Sequence, residues 1–227
     1  MKTLVVCSGG MDSVTLAHLV AAEGDLARLM TFNYGQRHAK EIDYAAGIAK
    51  DLGVPHDIVD IAHLSGYLSG SALTDEVEVP DGHYAEENMK VTVVPNRNAI
   101  MLTIAFGAAA SYGLTRVAAA MHAGDHFIYP DCRPEFTDAF AKMQKTALEG
   151  MWDIDLFTPF IHSSKAEIAA TGAKLKVPFE KSWSCYKGGE RHCGRCGTCV
   201  ERREAFHLAA VPDPTDYADP DFWQTVT

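Results

Sequence analysis

Positive charge is scarce in this chain. Its 227 residues carry 20 Lys and Arg against 30 Asp and Glu, a formal net charge of −10. A broad footprint on nucleic-acid phosphates needs a basic face, so no direct nucleic-acid partner is expected. The local exception is 181–203, where Lys181, Lys187, Arg191, Arg195, Arg202 and Arg203 meet only Glu190 and Glu201. Long hydrophobic runs are also missing. The most apolar stretch, 99–110, has about a dozen residues, which suits a buried helix rather than a membrane span. The apolar start is too short for a signal-peptide core and runs straight into glycines, so a cytoplasmic location is expected. Cysteine is sparse outside one place: of six, Cys7 and Cys132 stand alone and the rest crowd into 185–199. That pattern argues against a disulfide framework. Two common phosphate-binding signatures are absent as well. No Gly-Lys-[Ser/Thr] follows the first glycines, and Gly-x-Gly-x-x-Gly spacing is missing.

What stands in their place is Ser8-Gly9-Gly10-Met11-Asp12-Ser13. It follows Leu4-Val5-Val6, an apolar run without polar alternation that reads as a buried parallel strand. It precedes a helix expected over 14–22. Adjacent glycines let backbone N–H groups close around a phosphate, and the helix N-terminus adds partial positive charge. Ser8 and Ser13 supply hydroxyls. Asp12 is placed to hold Mg²⁺ or to orient a ligand. The hexapeptide resembles the loop of ATP pyrophosphatases, Ser-Gly-Gly-x-Asp-Ser. The resemblance implies ATP cleavage between the α and β phosphates, with AMP left on an oxygen of the substrate.

Strand and helix alternate along the first two thirds. Further strands are expected at 29–32, 58–61, 117–121 and 154–157. The helix before Gly53 places Ile42, Ala45, Ala46, Ala49 and Leu52 on one face. An apolar helix follows over 98–112, with Asn98 as its N-cap. An amphipathic one covers 135–148, with Phe136, Ala139, Phe140 and Met143 inward. Ser164 and Glu167 form a capping box. Such repeats predict an α/β fold, a doubly wound parallel five-stranded sheet. In such sheets ligands bind beyond the carboxyl ends of the strands, where the glycine loop, 33–38 and 122–125 should converge. Residues 62–92 break the rhythm and read either as a lid or as a partly disordered loop. The boundary expected is an ATP-binding α/β domain over 1–180 and a C-terminal metal segment and tail over 181–227.

Cys185, Cys193, Cys196 and Cys199 follow C-x7-C-x2-C-x2-C. Tight C-x2-C turns converge thiolates, and Gly194 and Gly197 free the backbone. Four thiolates suit a closed, structural zinc site. An iron–sulfur cluster is the competing reading. Lys187, Arg191 and Arg195 are positioned to offset its charge. Arg97, at the mouth of a buried helix, wants an anion: a phosphate, a substrate carboxylate or a plain salt-bridge partner. Lys165 either reaches a phosphate or decorates its helix. His38 stands between nucleotide contact and a solvated helix start. His18 and His207 read as ordinary packed or surface side chains.

Taken together, the first loop, Tyr34-Gly35-Gln36-Arg37-His38, Val94-Pro95-Asn96-Arg97-Asn98, the 129–136 loop and Trp183-Ser184-Cys185-Tyr186-Lys187-Gly188-Gly189 with the cysteines resemble the 7-cyano-7-deazaguanine synthase, or QueC, family. The likeness runs in order over nearly the whole chain. It implies an adenine nucleotide alpha hydrolase-like fold and a zinc-containing ligase of queuosine precursor synthesis. Such an enzyme converts 7-carboxy-7-deazaguanine and ammonia to the nitrile with two ATP, and works as a homodimer. Nucleotide contact is implied for Cys7, Ser8, Gly9, Gly10, Met11, Asp12, Ser13, Val14, Thr15, Gln36 and Arg37. Catalytic roles are expected of Asp12, Ser13, Arg97 and Asp131, and substrate contact of Asp125, Asp131 and Arg133. Two departures stand out. Asn96 occupies a position where the family often has Gly, and Asp125-His126-Phe127-Ile128 replaces a usual Asp-Tyr-Ser-Gly. They leave room for a relative that stops at the amide. A tRNA-modifying enzyme with the same loop and a zinc-stabilised nucleotide-binding regulator are the rival functions.

Overall fold

A computed structural model describes residues 1–84 and 87–226. Five parallel strands form one sheet in the order β3-β2-β1-β4-β5. They are β1 (Thr3–Val6), β2 (Leu26–Asn33), β3 (His56–Asp60), β4 (Arg116–Ala118) and β5 (Asp155–Phe157). The helices are α1 (Met11–Ala22), α2 (Glu41–Leu52), α3 (Arg97–Ser111), α4 (Pro134–Ala147), α5 (Lys165–Lys174) and α6 (Gly197–Leu208).

Both faces of the sheet are covered. Leu4 packs with Phe106, Leu102 and Phe140 of α3 and α4. Its neighbour Val5 points the other way, into a core with Leu16, Ile48, Ile168 and Phe206 of α1, α2, α5 and α6. Period-two alternation into two apolar layers is why the strands read as continuous hydrophobic runs. The chain winds from β1 outward to β3, then crosses back to β4. The switch point between β1 and β4 therefore opens a crevice at their carboxyl ends. The capping box at Ser164 and Glu167 is present in full.

Two local expectations are corrected. The N-cap of α3 is Asn96, not Asn98. Asn96 sits in the left-handed region at φ 57°, which Gly and Asn tolerate better than other residues. The buried stripe of α4 is Thr137, Phe140 and Gln144, with Phe136 half-buried, whereas Met143 is 47% exposed and Ala139 faces solvent. The sheet meets the helix one position away from its most apolar line, so small and polar residues fill the contact. Within 62–92, residues 85 and 86 lie outside the described residues. The described part of that stretch is packed in: Ala72, Leu73, Val79, Tyr84 and Met89 are buried. The Arg37 guanidinium donates to the carbonyls of Asp75 and Val77 at 2.8 and 2.9 Å.

Candidate active site

The loop after β1 leads directly into α1. Gly9 has φ +89°, and a Cβ there would lie 2.3 Å from the Glu41 carbonyl oxygen. Only glycine allows α2 to approach so closely. Gly10 caps α1 without a side-chain bond, and the first helical N–H to find a carbonyl is that of Val14, on Gly10 at 3.0 Å. The N–H groups of Met11, Asp12 and Ser13 are thus left for a ligand. The Ser13 hydroxyl holds the turn closed, accepting from Ser8 N–H and donating to the Gly10 carbonyl, both at 3.1 Å.

This turn forms one wall of an open cleft of about 220 Å³. At one end the charges are paired. Lys165, at the start of α5, reaches Asp12 at 3.1 Å and Glu201 of α6 at 2.7 Å. His122 accepts the Gly124 N–H at Nδ1, which leaves its proton on Nε2, 3.7 Å from Asp12 and 3.6 Å from Asp125. The Tyr84 hydroxyl donates to Asp125 at 3.0 Å. Burial works to raise the Asp12 pKa, but Lys165 and His122 outweigh it and hold the carboxyl below its ordinary value. Burial dominates at Glu201 and pushes it up. Asp12 Oδ1 is buried with no partner, an anionic oxygen whose position suits a divalent cation.

The other end is different. Among the described residues, the hydrogen bond of the Arg97 guanidinium is a long one of 3.4 Å to the Tyr34 hydroxyl. No carboxylate pairs with it among the described residues. Burial would lower its pKa, but the surrounding Tyr34, Tyr186, Tyr129 and Cys132 keep it firmly cationic. It is a buried cation lined by aromatic rings, an arrangement able to hold an anion. His38 and Glu41 complete this end. Burial, aided by Arg97 and Arg37, takes His38 down to about 3, and burial takes Glu41 up to about 8.

Of the residues singled out from sequence, Cys7, Ser8, Gly10, Met11, Asp12, Ser13, Arg97 and Asp125 line the cleft. Others sit behind it. Val14 and Thr15 are buried in α1, Thr15 donating to the Met11 carbonyl. Gly9 is pressed against α2. Gln36 is buried, bonded to Phe32, Tyr34 and Glu41, and Arg37 is tied to 75–77. Asp131 accepts the Asn98 N–H at 2.9 Å, fastening the start of α3. Arg133 is exposed and donates to the His126 carbonyl. Tyr84, Tyr129, Tyr186, Glu41 and His122 also line the cleft without having been picked out individually. A charged Glu41 inside the stripe of Ala45 and Ile48 was the available signal.

The cysteine segment docks beside this cleft. All four Sγ atoms lie within 4.8 Å of one another. Cys193 and Cys199 are 3.9 Å apart, close to the edge of about 3.8 Å that Zn–S bonds of about 2.3 Å impose on a tetrahedron. The donor set therefore fits a metal such as zinc. N–H groups of Arg195 and Cys196 donate to Cys193 Sγ at 3.3 and 3.2 Å. The basic side chains expected to offset the thiolates pair elsewhere: Lys187 with Asp81, Arg191 with Asp216, Arg195 with Asp81 and Asp219. Those bonds latch 62–92 and the tail onto the segment and neutralise the basic run of 181–203. Burial makes both lone thiols hard to ionise, pushing Cys7 up to about 11 and Cys132 well above its ordinary value.

A family model described as queuosine biosynthesis protein QueC matches residues 2–210. The 7-cyano-7-deazaguanine synthase of Rhizobium rhizogenes is 68% identical over 227 residues, covering 100% of this chain and 96% of its own. The synthase of that name from Brucella ovis is 66% identical, covering 100% and 98%. Among solved structures, the NMN synthetase of Francisella tularensis superposes with a TM-score of 0.53 at 13% identity, over 99% of this chain and 84% of that one; this likeness bears on the fold alone. No described helix is long and apolar enough to cross a membrane. With the family model matching almost from end to end, and relatives at two-thirds identity over full length, the chain belongs to the QueC family of queuosine biosynthesis proteins.

Proposed function

We propose that the protein is an ATP-dependent ligase that converts 7-carboxy-7-deazaguanine and ammonia to 7-cyano-7-deazaguanine. The observation carrying this reading is a single cleft in which an uncapped helix N-terminus and Lys165 face an arginine that lacks a carboxylate. The first suits a triphosphate. The second suits an aromatic acid, its carboxylate on Arg97 and its ring among Tyr84, Tyr129 and Tyr186.

Arg97 orients the carboxylate for attack on the α-phosphorus. Pyrophosphate departs into the N–H groups of Met11, Asp12 and Ser13, where fixed dipoles stabilise the developing charge. Asp12 would hold Mg²⁺ through its unpartnered Oδ1, and the ion would neutralise phosphate charge. Ammonia attacks the acyl-adenylate and AMP leaves the amide. A second adenylylation, on the amide oxygen, followed by loss of AMP, gives the nitrile. The cysteines would hold Zn²⁺ as a structural ion. Buried, unactivated Cys7 and Cys132 weigh against sulfur transfer by a tRNA-modifying relative.

The test is incubation of the purified protein with 7-carboxy-7-deazaguanine, ammonium and ATP, with mass detection of products. Amide then nitrile, with two AMP and two pyrophosphate per nitrile, is expected. ADP as product, or no nucleotide cleavage with this acid, overturns the reading. Accumulation of amide alone identifies an enzyme that stops one step earlier.

A further inference from the structure

The reaction just proposed needs a neutral amine, yet ammonia in water near neutral pH is almost all ammonium. Some group in the cleft must accept its proton. Asp12 is committed to Lys165. Asp125 takes the Tyr84 hydroxyl and faces His122. Both form part of the paired end.

Glu41 remains. It is the first residue of α2 and is 8% exposed. Its Oε1 accepts from Gln36 Nε2 at 3.1 Å and faces His38 Nε2 at 3.5 Å. No protein donor reaches Oε2 among the described residues. His38 is 3% exposed and its Nδ1 has no partner. Its ring is steadied by Tyr186, centroid to centroid 5.1 Å. Both side chains line the cleft between the glycine loop and Arg97. A buried ring nitrogen without a partner, as His38 Nδ1 is, is costly in a stable core unless a ligand satisfies it.

We propose that Glu41, steadied by Gln36 and His38, is the ammonium site and catalytic base of the amide-forming step. Ammonium donates to the Glu41 carboxylate and passes it one proton. The nitrogen lone pair forms the C–N bond at the acyl carbon, and the bond from that carbon to the AMP oxygen breaks. The amine's surplus proton leaves to water, and Glu41 is then deprotonated by solvent. The charged and titratable groups facing Glu41 are Arg97, His38, Tyr34 and Cys7. Arg97 is the only full charge among them, so an acid substrate seated on it removes the cation that would repel ammonium. The acid is expected to bind before ammonium. Burial raises the Glu41 affinity for protons to about pH 8, so the carboxylate form that takes the proton grows as pH rises through neutrality.

This inference rests on the adenylate reading, and hydroxylamine separates the two. Hydroxylamine is neutral at pH 7 and attacks an acyl-adenylate without losing a proton first. In Glu41→Gln, amide formation from ammonium at pH 7 should fall at least tenfold and recover as pH rises and free ammonia accumulates. Hydroxamate formation by the same variant should stay within about twofold of wild type, which also reports an intact fold. An unchanged ammonium rate overturns the proposal. So does an equal loss with both nucleophiles, which marks a structural role only. No hydroxamate from the wild-type protein overturns the adenylate reading itself, and the base assignment falls with it.

Discussion

The two ends of the cleft are built on opposite principles. Around Asp12 each formal charge has a partner: Lys165 joins Asp12 to Glu201, and His122 sits between Asp12 and Asp125. Around Arg97 no carboxylate pairs with the charge among the described residues, and tyrosines ring it. A paired network keeps its geometry whether or not ligand is present, and its fixed dipoles need no reorganisation when charge develops. An unpaired buried guanidinium gains its best interaction only when an anion arrives. The first end is suited to chemistry on phosphate and the second to selecting an acid.

Both ends hang on the cysteines. Cys196 caps α6, which carries Glu201, and Cys185 precedes Tyr186 beside Arg97. Stripping the metal is therefore the largest expected perturbation, since such ions contribute on the order of 10 kcal/mol in isolated zinc modules. Limited proteolysis should then open 183–203, and both ATP and acid binding should weaken. An unchanged digestion pattern would show that the segment holds itself together. Next comes Asp12→Ala. Loss of a group that stabilises transition-state charge costs about 10²–10³ in rate. AMP release should drop by about that factor while thermal unfolding shows a folded protein; near-normal ATP consumption would remove Asp12 from the chemistry. Arg97→Met should raise the KM for the acid about 10–150-fold, the equivalent of about 1.5–3 kcal/mol for a charged hydrogen bond. If the KM for ATP rises instead, the division between the two ends is wrong.

A separate effect falls on stability rather than on activity. The Glu41 carboxyl binds its proton more tightly folded, near pH 8, than at its ordinary 4.5. A raised carboxyl pKa contributes stability below the unfolded value, and that contribution is lost as pH climbs through the folded one. Wild-type stability should fall between about pH 4.5 and 8 relative to Glu41→Gln, measured by denaturant titration across that range. Parallel curves for the two proteins would mean that Glu41 ionises freely.

The chain's local chemistry determined much of this on its own. Apolar runs of strand length, separated by amphipathic helices, dictate a parallel sheet buried on both faces. Two glycines after β1 prescribe an open helix N-terminus, and the close C-x2-C spacings bring thiols together because the ligands are near neighbours in sequence. Tertiary structure decided what depends on distant segments. It brought Glu201 to Lys165 across 36 residues and Tyr84 to Asp125 across 41. It turned Asp131 toward the N–H of Asn98, and Gln36 and Arg37 toward the protein rather than the cleft. It also placed Glu41, buried, against Gln36 and His38 in the lining of the cleft. Sequence spacing fixes which side chains share one helix face or one turn; which faces meet, and which charges are left without partners, follows from packing.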